Sequence, residues 1–276
     1  MAFIVSLICF CLGYYLLAAL VLSVGYHRAL SHRALILSGW LEKSMITLGL
    51  AAGTPVQWAG NHRYHHQHTD DALDPHSPVQ DGFWYAHCGW YLGTKNPILC
   101  ALYAVAGPIR TLFDAFWRPR TNQQHNELAA DVKQIKYYAW LSKPMPYASI
   151  ILMHMALLLW GMVSMWGTPG LIGLYFTYLA IYTVGDFTDS LAHLYGKRPY
   201  PVSHMARNNW IVGIFGAGEW HANHHTFPSS AKMSLQRGQF DLSWQFIKLC
   251  RRLGLAKQIK VAPLQDGQTA KQTGPH

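Results

Sequence analysis

Charge is what this 276-residue sequence has least of. Asp, Glu, Lys and Arg make up 13% of it against 51% hydrophobic residues, about half the charged share of an ordinary soluble domain. The shortage is also local: none of the 22 Lys and Arg falls within 1–25 or 144–196. That excludes a conventional soluble globule and predicts an integral membrane protein. The net charge of +9 does not make the chain a nucleic-acid binder, because its basic residues are not clustered with exposed aromatics and instead follow membrane topology. The five cysteines (Cys9, Cys11, Cys88, Cys100, Cys250) form no C-x-x-C pair, which excludes a disulfide framework and a thiolate zinc site. There is no H-E-x-x-H and no G-x-G-x-x-G, so neither a zinc protease nor a built-in dinucleotide site is expected. No basic residue precedes the first apolar run, which argues against a cleaved signal peptide.

The apolar runs set the architecture. Residues 3–24 are long enough to cross a hydrocarbon core of about 30 Å as a helix. Residues 35–59 are apolar but interrupted by Glu42 and Lys43 and broken at Gly53-Thr-Pro55, so a shallow or re-entrant segment is expected. Residues 67–96 are turn-rich, 97–109 read as an interfacial or capping helix, and 118–144 as a hydrophilic stretch with a helical portion near 127–140. Two further spans, 147–166 and 171–190, flank the uncharged turn 167–170. Phe240, Trp244 and Ile247 beside Lys248, Arg251 and Arg252 predict an amphipathic helix on the membrane surface. The fold class is therefore all-α: about three transmembrane helices, re-entrant or interfacial helices, and a cytoplasmic helical cap. It forms one domain over 1–262 with a disordered tail at 263–276. The positive-inside rule puts the histidine-bearing segments on the cytoplasmic face of a bacterial inner membrane or an ER-like membrane.

Histidine is abundant and patterned. Of sixteen, nine fall in clusters: His27 and His32; His62, His65 and His66; His193; and His221, His224 and His225. The two triplets share the spacing i, i+3, i+4, which places three rings on one helical face. His27 and His32, at i, i+5, are about 140° apart on an α-helix, so the helix must end or unwind between them for both to serve one site. Isolated His87, His125, His154, His204 and His276 read as ordinary side chains. Nine neutral imidazoles suffice for two metals at four or five nitrogens each, a donor set that suits redox iron. Asp189, four residues before His193, shares its helix face, and it and Asp186 sit near the end of a span, where carboxylates are usually functional. Glu219 is placed to accept an N–H from a ligand histidine.

These residues resemble the membrane fatty acid desaturases of the stearoyl-CoA and acyl-lipid delta-9 type. The likeness lies in H-R-x-x-S-H (27–32), H-R-x-H-H (62–66), A-H-L-Y-G-x-R-P-Y (192–200) and H-x-N-H-H-x-F-P (221–228). It continues through Asp74-Pro-His76 and 82–90. The resemblance implies a di-iron centre held by the nine histidines and O2 as co-substrate. It further implies delta-9 desaturation of an acyl chain on CoA, lipid or acyl carrier protein. Electrons would come from NAD(P)H through a separate reductase and a carrier such as cytochrome b5 or a ferredoxin.

Several residues depart from the family. One span rather than two precedes the first box. The family's Asn, which reaches a metal through water, is Asp189, a potential ligand directly or through water. The Glu before the last box is shifted to Glu219, and 97–125 looks inserted. The Arg of the acyl-CoA enzymes is Gly60, closer to the acyl-lipid type. Lys95 and Trp58 are candidates for substrate contact, and Asp74 for supporting a ligand. An acyl hydroxylase or other di-iron lipid oxidase is the alternative chemistry, and a non-catalytic membrane metal-binding protein or transporter the alternative from another class.

Overall fold

The structure is a computed structural model that describes residues 1–264, so the expected tail lies almost wholly outside the described residues. Helix α1 (Ala2–Leu20) exposes Phe3, Ile4, Ile8 and Leu12 along its length, as a helix surrounded by hydrocarbon does. It runs on unbroken into a π-helix, Val21–Ser31, in which all but Leu22 are buried. This corrects the expectation at the first histidine pair, since the helix neither ends nor unwinds between His27 and His32. Its hydrogen bonds lengthen to i→i+5, and the N–H of His32 donates to the carbonyl of His27 at 3.2 Å. A wider turn stacks residue i+5 over residue i, so both rings reach one side.

The next segment dips and returns as expected. Helix α2 (Gly39–Leu48) has ten residues, about 15 Å and half of what a crossing needs. A 3-10 turn, Leu50–Ala52, and Gly53 (φ 132°) reverse the chain into α3 (Pro55–His68). The α3 start is well specified: the Thr54 side chain accepts the N–H of Gln57, and Pro55 fills the first turn. One face of α3 is packed by chain rather than side chain. A Cβ on Gly60 would lie 2.4 Å from the carbonyl oxygen of His125, so residues 125–126 rest directly on the helix. The acyl-CoA-type Arg at that position has no room here.

Two short helices, α4 (Pro97–Ala104) and α5 (Pro108–Trp117), form an elbow; α4 and 108–120 meet at 112°. The single interfacial helix expected over 97–109 is thereby corrected: Gly107 (φ 55°) breaks the chain and Pro108 starts a new helix. The elbow lies along the long helical element α6 (Pro144–Asp189), where Tyr175 Oη donates to the carbonyl of Val105 at 2.8 Å and Thr111 Oγ1 bonds Tyr182 Oη at 2.7 Å.

Element α6 is a hairpin of two spans. Gly167 breaks it at φ 58°, and Tyr14 Oη bonds both His154 Nε2 and Tyr178 Oη at 2.9 Å. Those two residues would be about 36 Å apart on a straight helix. Among the described residues two continuous helices, 2–31 and 144–194, are long and apolar enough to cross a membrane, and the break at Gly167 divides the second into the two arms expected. After a short helix, Leu191–Leu194, the chain builds a cap that ends in α7 (His221–Thr226) and α8 (Leu242–Arg252). A two-residue pairing, Ile36–Leu37 with Ala256–Lys257, ties the cap to the first half. Helix α8 is amphipathic, but Ile247 and Cys250 pack on Val21 and Val24 while Phe240 stays exposed. Its apolar face is therefore mostly protein core, not the membrane-facing stripe expected.

Candidate metal centre

Four segments converge beneath the cap. Their nine imidazoles divide into two sets whose ring nitrogens lie within 4.8 Å of one another: His27, His32, His62, His66 and His224, and His65, His193, His221 and His225. The division cuts across both triplets. On α3 the i and i+4 histidines join the set of five and the i+3 histidine the set of four; on α7 the assignment is reversed. Each helix thus serves both sets, which makes them one structural unit. Nε2 atoms face each other at 2.8 Å (His27–His224), 2.7 Å (His32–His62), 2.8 Å (His66–His224) and 2.8 Å (His193–His221).

The outer nitrogens fix the tautomers. Nδ1–H of His27 donates to Glu219 at 3.1 Å, that of His65 to Asp74 at 2.9 Å, and that of His193 to Asp70 at 2.9 Å. Nδ1 of His221 lies 3.5 Å from the other oxygen of Glu219. A proton held on Nδ1 leaves the Nε2 lone pair bare and pointing inward. Burial first, then the neighbouring imidazoles, push His32, His62, His66 and His224 well below the ordinary histidine range, which favours their neutral form. Converging bare lone pairs repel unless a cation sits among them. The donor set therefore fits metal ions of the kind imidazole binds, iron, copper, nickel and zinc among them. Burial alone would raise the carboxyls of Glu219 and Asp74, but their histidine partners hold both well below the usual range.

The other expected residues are distributed around this unit. Trp58 stacks on His62 with centroids 4.8 Å apart and lines a cavity of about 180 Å³. This largely apolar cavity starts at His27, His62, His65 and His221 and runs between α1 and the second arm of α6. Asp189 lines the same cavity but belongs to neither imidazole set. Lys95 does not line it; its side chain is exposed and pairs with Asp81 at 2.5 Å. Asp186, expected to be functional, is bound at both oxygens by Arg110 of the elbow, at 2.5 and 3.0 Å.

Three partners escaped the sequence reading. Asp70 sits at φ 63°, a left-handed conformation rare outside Gly, Asn and Asp, and its oxygens also accept the N–H of Met205 and the hydroxyl of Ser77. Against the upward push of burial, His193 and these donors bring its carboxyl down to about 2. His76 stacks on His65 at 4.4 Å. Arg28, fully buried, donates to Ala231, Gly218 and Asp241 and locks the π-helix to the approach of α7. The two adjacent acids Asp70-Asp71 directly after the second histidine box were the available signal for Asp70.

The fold and site together define a class: a helical membrane protein with a split imidazole site at the head of an apolar cavity. Comparison with known proteins gives the family. The fatty acid desaturase profile matches residues 3–245. The chain is 33% identical to an acyl-CoA C20 Delta5-desaturase of Anemone leveillei, over 92% of this chain and 73% of that protein. It is 33% identical to an sn-2 palmitoyl-lipid 9-desaturase of Nostoc sp. (strain 36), over 91% and 80%. It is 34% identical to Delta-9 acyl-lipid desaturase 1 of Arabidopsis thaliana, over 90% and 73%. The chain belongs to the fatty acid desaturase family.

Proposed function

We propose that the protein is an O2-dependent fatty acyl desaturase acting at the delta-9 position of a lipid-linked chain, with its nine clustered histidines holding two irons. The observation that carries this reading is the pair of adjoining five- and four-nitrogen sets at the mouth of an apolar cavity. Two irons with O2 supply the oxidising power that an unactivated C–H bond demands. The chain's own residues do the rest. Glu219, Asp74 and Asp70 hold imidazoles in the donor tautomer. Trp58 and the walls of α1 and α6 hold one methylene pair against the site and keep water away from it. Asp189 supports the through-water role proposed for it, since it faces the cavity without entering either set.

Delta-9 regiochemistry and a lipid carrier are supported by the names of the Nostoc and Arabidopsis relatives and by Gly60, which leaves no space for the acyl-CoA-type Arg. The chemistry needs electrons from NAD(P)H through a separate reductase and a carrier of the cytochrome b5 or ferredoxin type. The histidine cap faces the cytoplasm in this reading. Asp189 motivates a second reading, acyl hydroxylation, because a carboxylate beside the site alters its charge. Expression in a desaturase-deficient host, with fatty-acid profiling and location of double bonds, separates the readings. The expected result is a monounsaturated product that His65→Ala abolishes together with bound iron. A hydroxylated product selects the second reading, and no product despite bound iron rejects both.

A further inference from the structure

The elbow puts three charged residues inside the protein. Arg110, Asp114 and Arg118 are 1%, 0% and 4% exposed. Their pairing is uneven. Arg110 gives both terminal nitrogens to Asp186. Asp114 accepts the hydroxyl of Tyr103 at 2.5 Å and lies 3.8 Å and 3.6 Å from the Nε atoms of Arg110 and Arg118. Arg118 rests its guanidinium on the ring of Tyr91, 3.5 Å from the centroid, and lines the cavity. Its Nε is buried and makes no hydrogen bond, the nearest acid being Asp114 at 3.6 Å. A guanidinium carries five N–H donors, and leaving even one unmade when buried is expensive. The site therefore wants an acceptor delivered by a ligand.

Charge narrows the acceptor. Arg110 and Arg118 are balanced by Asp114 and Asp186, and Asp189 adds a further carboxylate on the cavity wall. A full anion meets no surplus positive charge, whereas a neutral carbonyl oxygen fits. Distance narrows it further. Nη1 of Arg118 lies 4.0 Å from where a Cβ on Gly53 would sit, beside Thr54 at the start of α3. His62 is eight residues along that helix, about 12 Å away. An extended acyl chain advances roughly 1.3 Å per C–C bond, so a carbonyl at Arg118 puts the middle of a sixteen- or eighteen-carbon chain near the imidazoles.

We infer that Arg118 is the positioning residue for the ester or thioester carbonyl of the acyl substrate, and that its distance from the imidazole sets selects the carbon pair attacked. This deepens the desaturase reading and rests on it.

The test is binding to the full-length protein in detergent without reductant, where no turnover occurs. Two matched pairs serve as probes: dipalmitoyl phosphatidylglycerol against its dihexadecyl diether, and palmitoyl-CoA against hexadecyl-CoA thioether. Each pair differs only in the carbonyl. The wild type is expected to bind the carbonyl member of one pair about tenfold tighter, as a charge-assisted hydrogen bond gives, and that pair identifies the carrier. Arg118→Gln should erase the difference without changing diether or thioether affinity, and Arg118→Lys should retain part of it. No discrimination by the wild type, or full discrimination by Arg118→Gln, overturns the inference. In cells, Arg118→Gln should spread the double bond over neighbouring positions; a single unchanged position at undiminished yield also overturns it. A wild type that makes no unsaturated product sinks the desaturase reading while leaving the carbonyl comparison to decide Arg118.

Discussion

Glu219 binds Nδ1 of His27 at 3.1 Å through one oxygen and brings the other to 3.5 Å from Nδ1 of His221. Because His27 belongs to the set of five and His221 to the set of four, a single buried acid orients one imidazole in each. Glu219→Gln keeps the shape but not the charge. It is expected to weaken metal binding by roughly 10–100-fold, read as metal retained per chain across a chelator titration. Retention equal to wild type would mean that Glu219 orients neither ring.

Arg28 and Asp241 form a fully buried pair at 3.1 Å. Removing one partner leaves an uncompensated buried charge, so Asp241→Asn should destabilise the protein by roughly 3–5 kcal/mol. The check is the apparent melting temperature in detergent. A double substitution to apolar residues of similar volume, Arg28→Met with Asp241→Leu, should recover part of the loss; a single variant that melts like wild type refutes the role.

Gly60 is required by the chain lying on it. Adding a methyl 2.4 Å from the His125 carbonyl oxygen forces residues 125–126 off α3, and Gly60→Ala is expected to cost about 1–3 kcal/mol. Protease cleavage around residues 120–130 should accelerate in that variant and stay slow in the wild type.

Asp131 joins the first two histidine boxes, accepting from Arg33 at 2.7 Å and from Arg63 at 2.6 Å. Burial alone would raise its carboxyl, but the hydrogen bonds of Arg63 and Arg33 hold it well below the ordinary range. A depressed acid contributes stability above its unfolded value, near 4, and loses it as the pH falls through the folded value. Asp131→Asn should therefore lower stability by about 1 kcal/mol at pH 7, a half-exposed network being worth little more. The gap from wild type should narrow as the pH drops below about 4, and a gap that widens there contradicts the assignment.

The parts of the fold legible from residues alone were those with a strong local period or a long apolar run. The spans had the apolar run and the two histidine triplets the period. Reading His27 and His32 on a 3.6-residue helix hid their shared side, because the turn there is widened to i→i+5. The triplets looked like one face each, yet a site with two centres splits i+3 from i and i+4, a division set by the opposing helix. Asp70 meets His193 across 123 positions, a separation that no window on the sequence covers. The elbow was hidden by its own break at Gly107-Pro108, which left two helices too short to look like membrane structure. With it went Arg110, the partner that explains Asp186.

As proposed, the nine histidines bind two metals as sets of five and four. Iron per chain in purified, reconstituted protein tests it most directly, comparing wild type with His32→Ala from the first set and His193→Ala from the second. Two irons are expected in the wild type and preferential loss of one in each variant, with the remaining ion spectroscopically different between them. One iron or none in the wild type, or two retained in either variant, would contradict it.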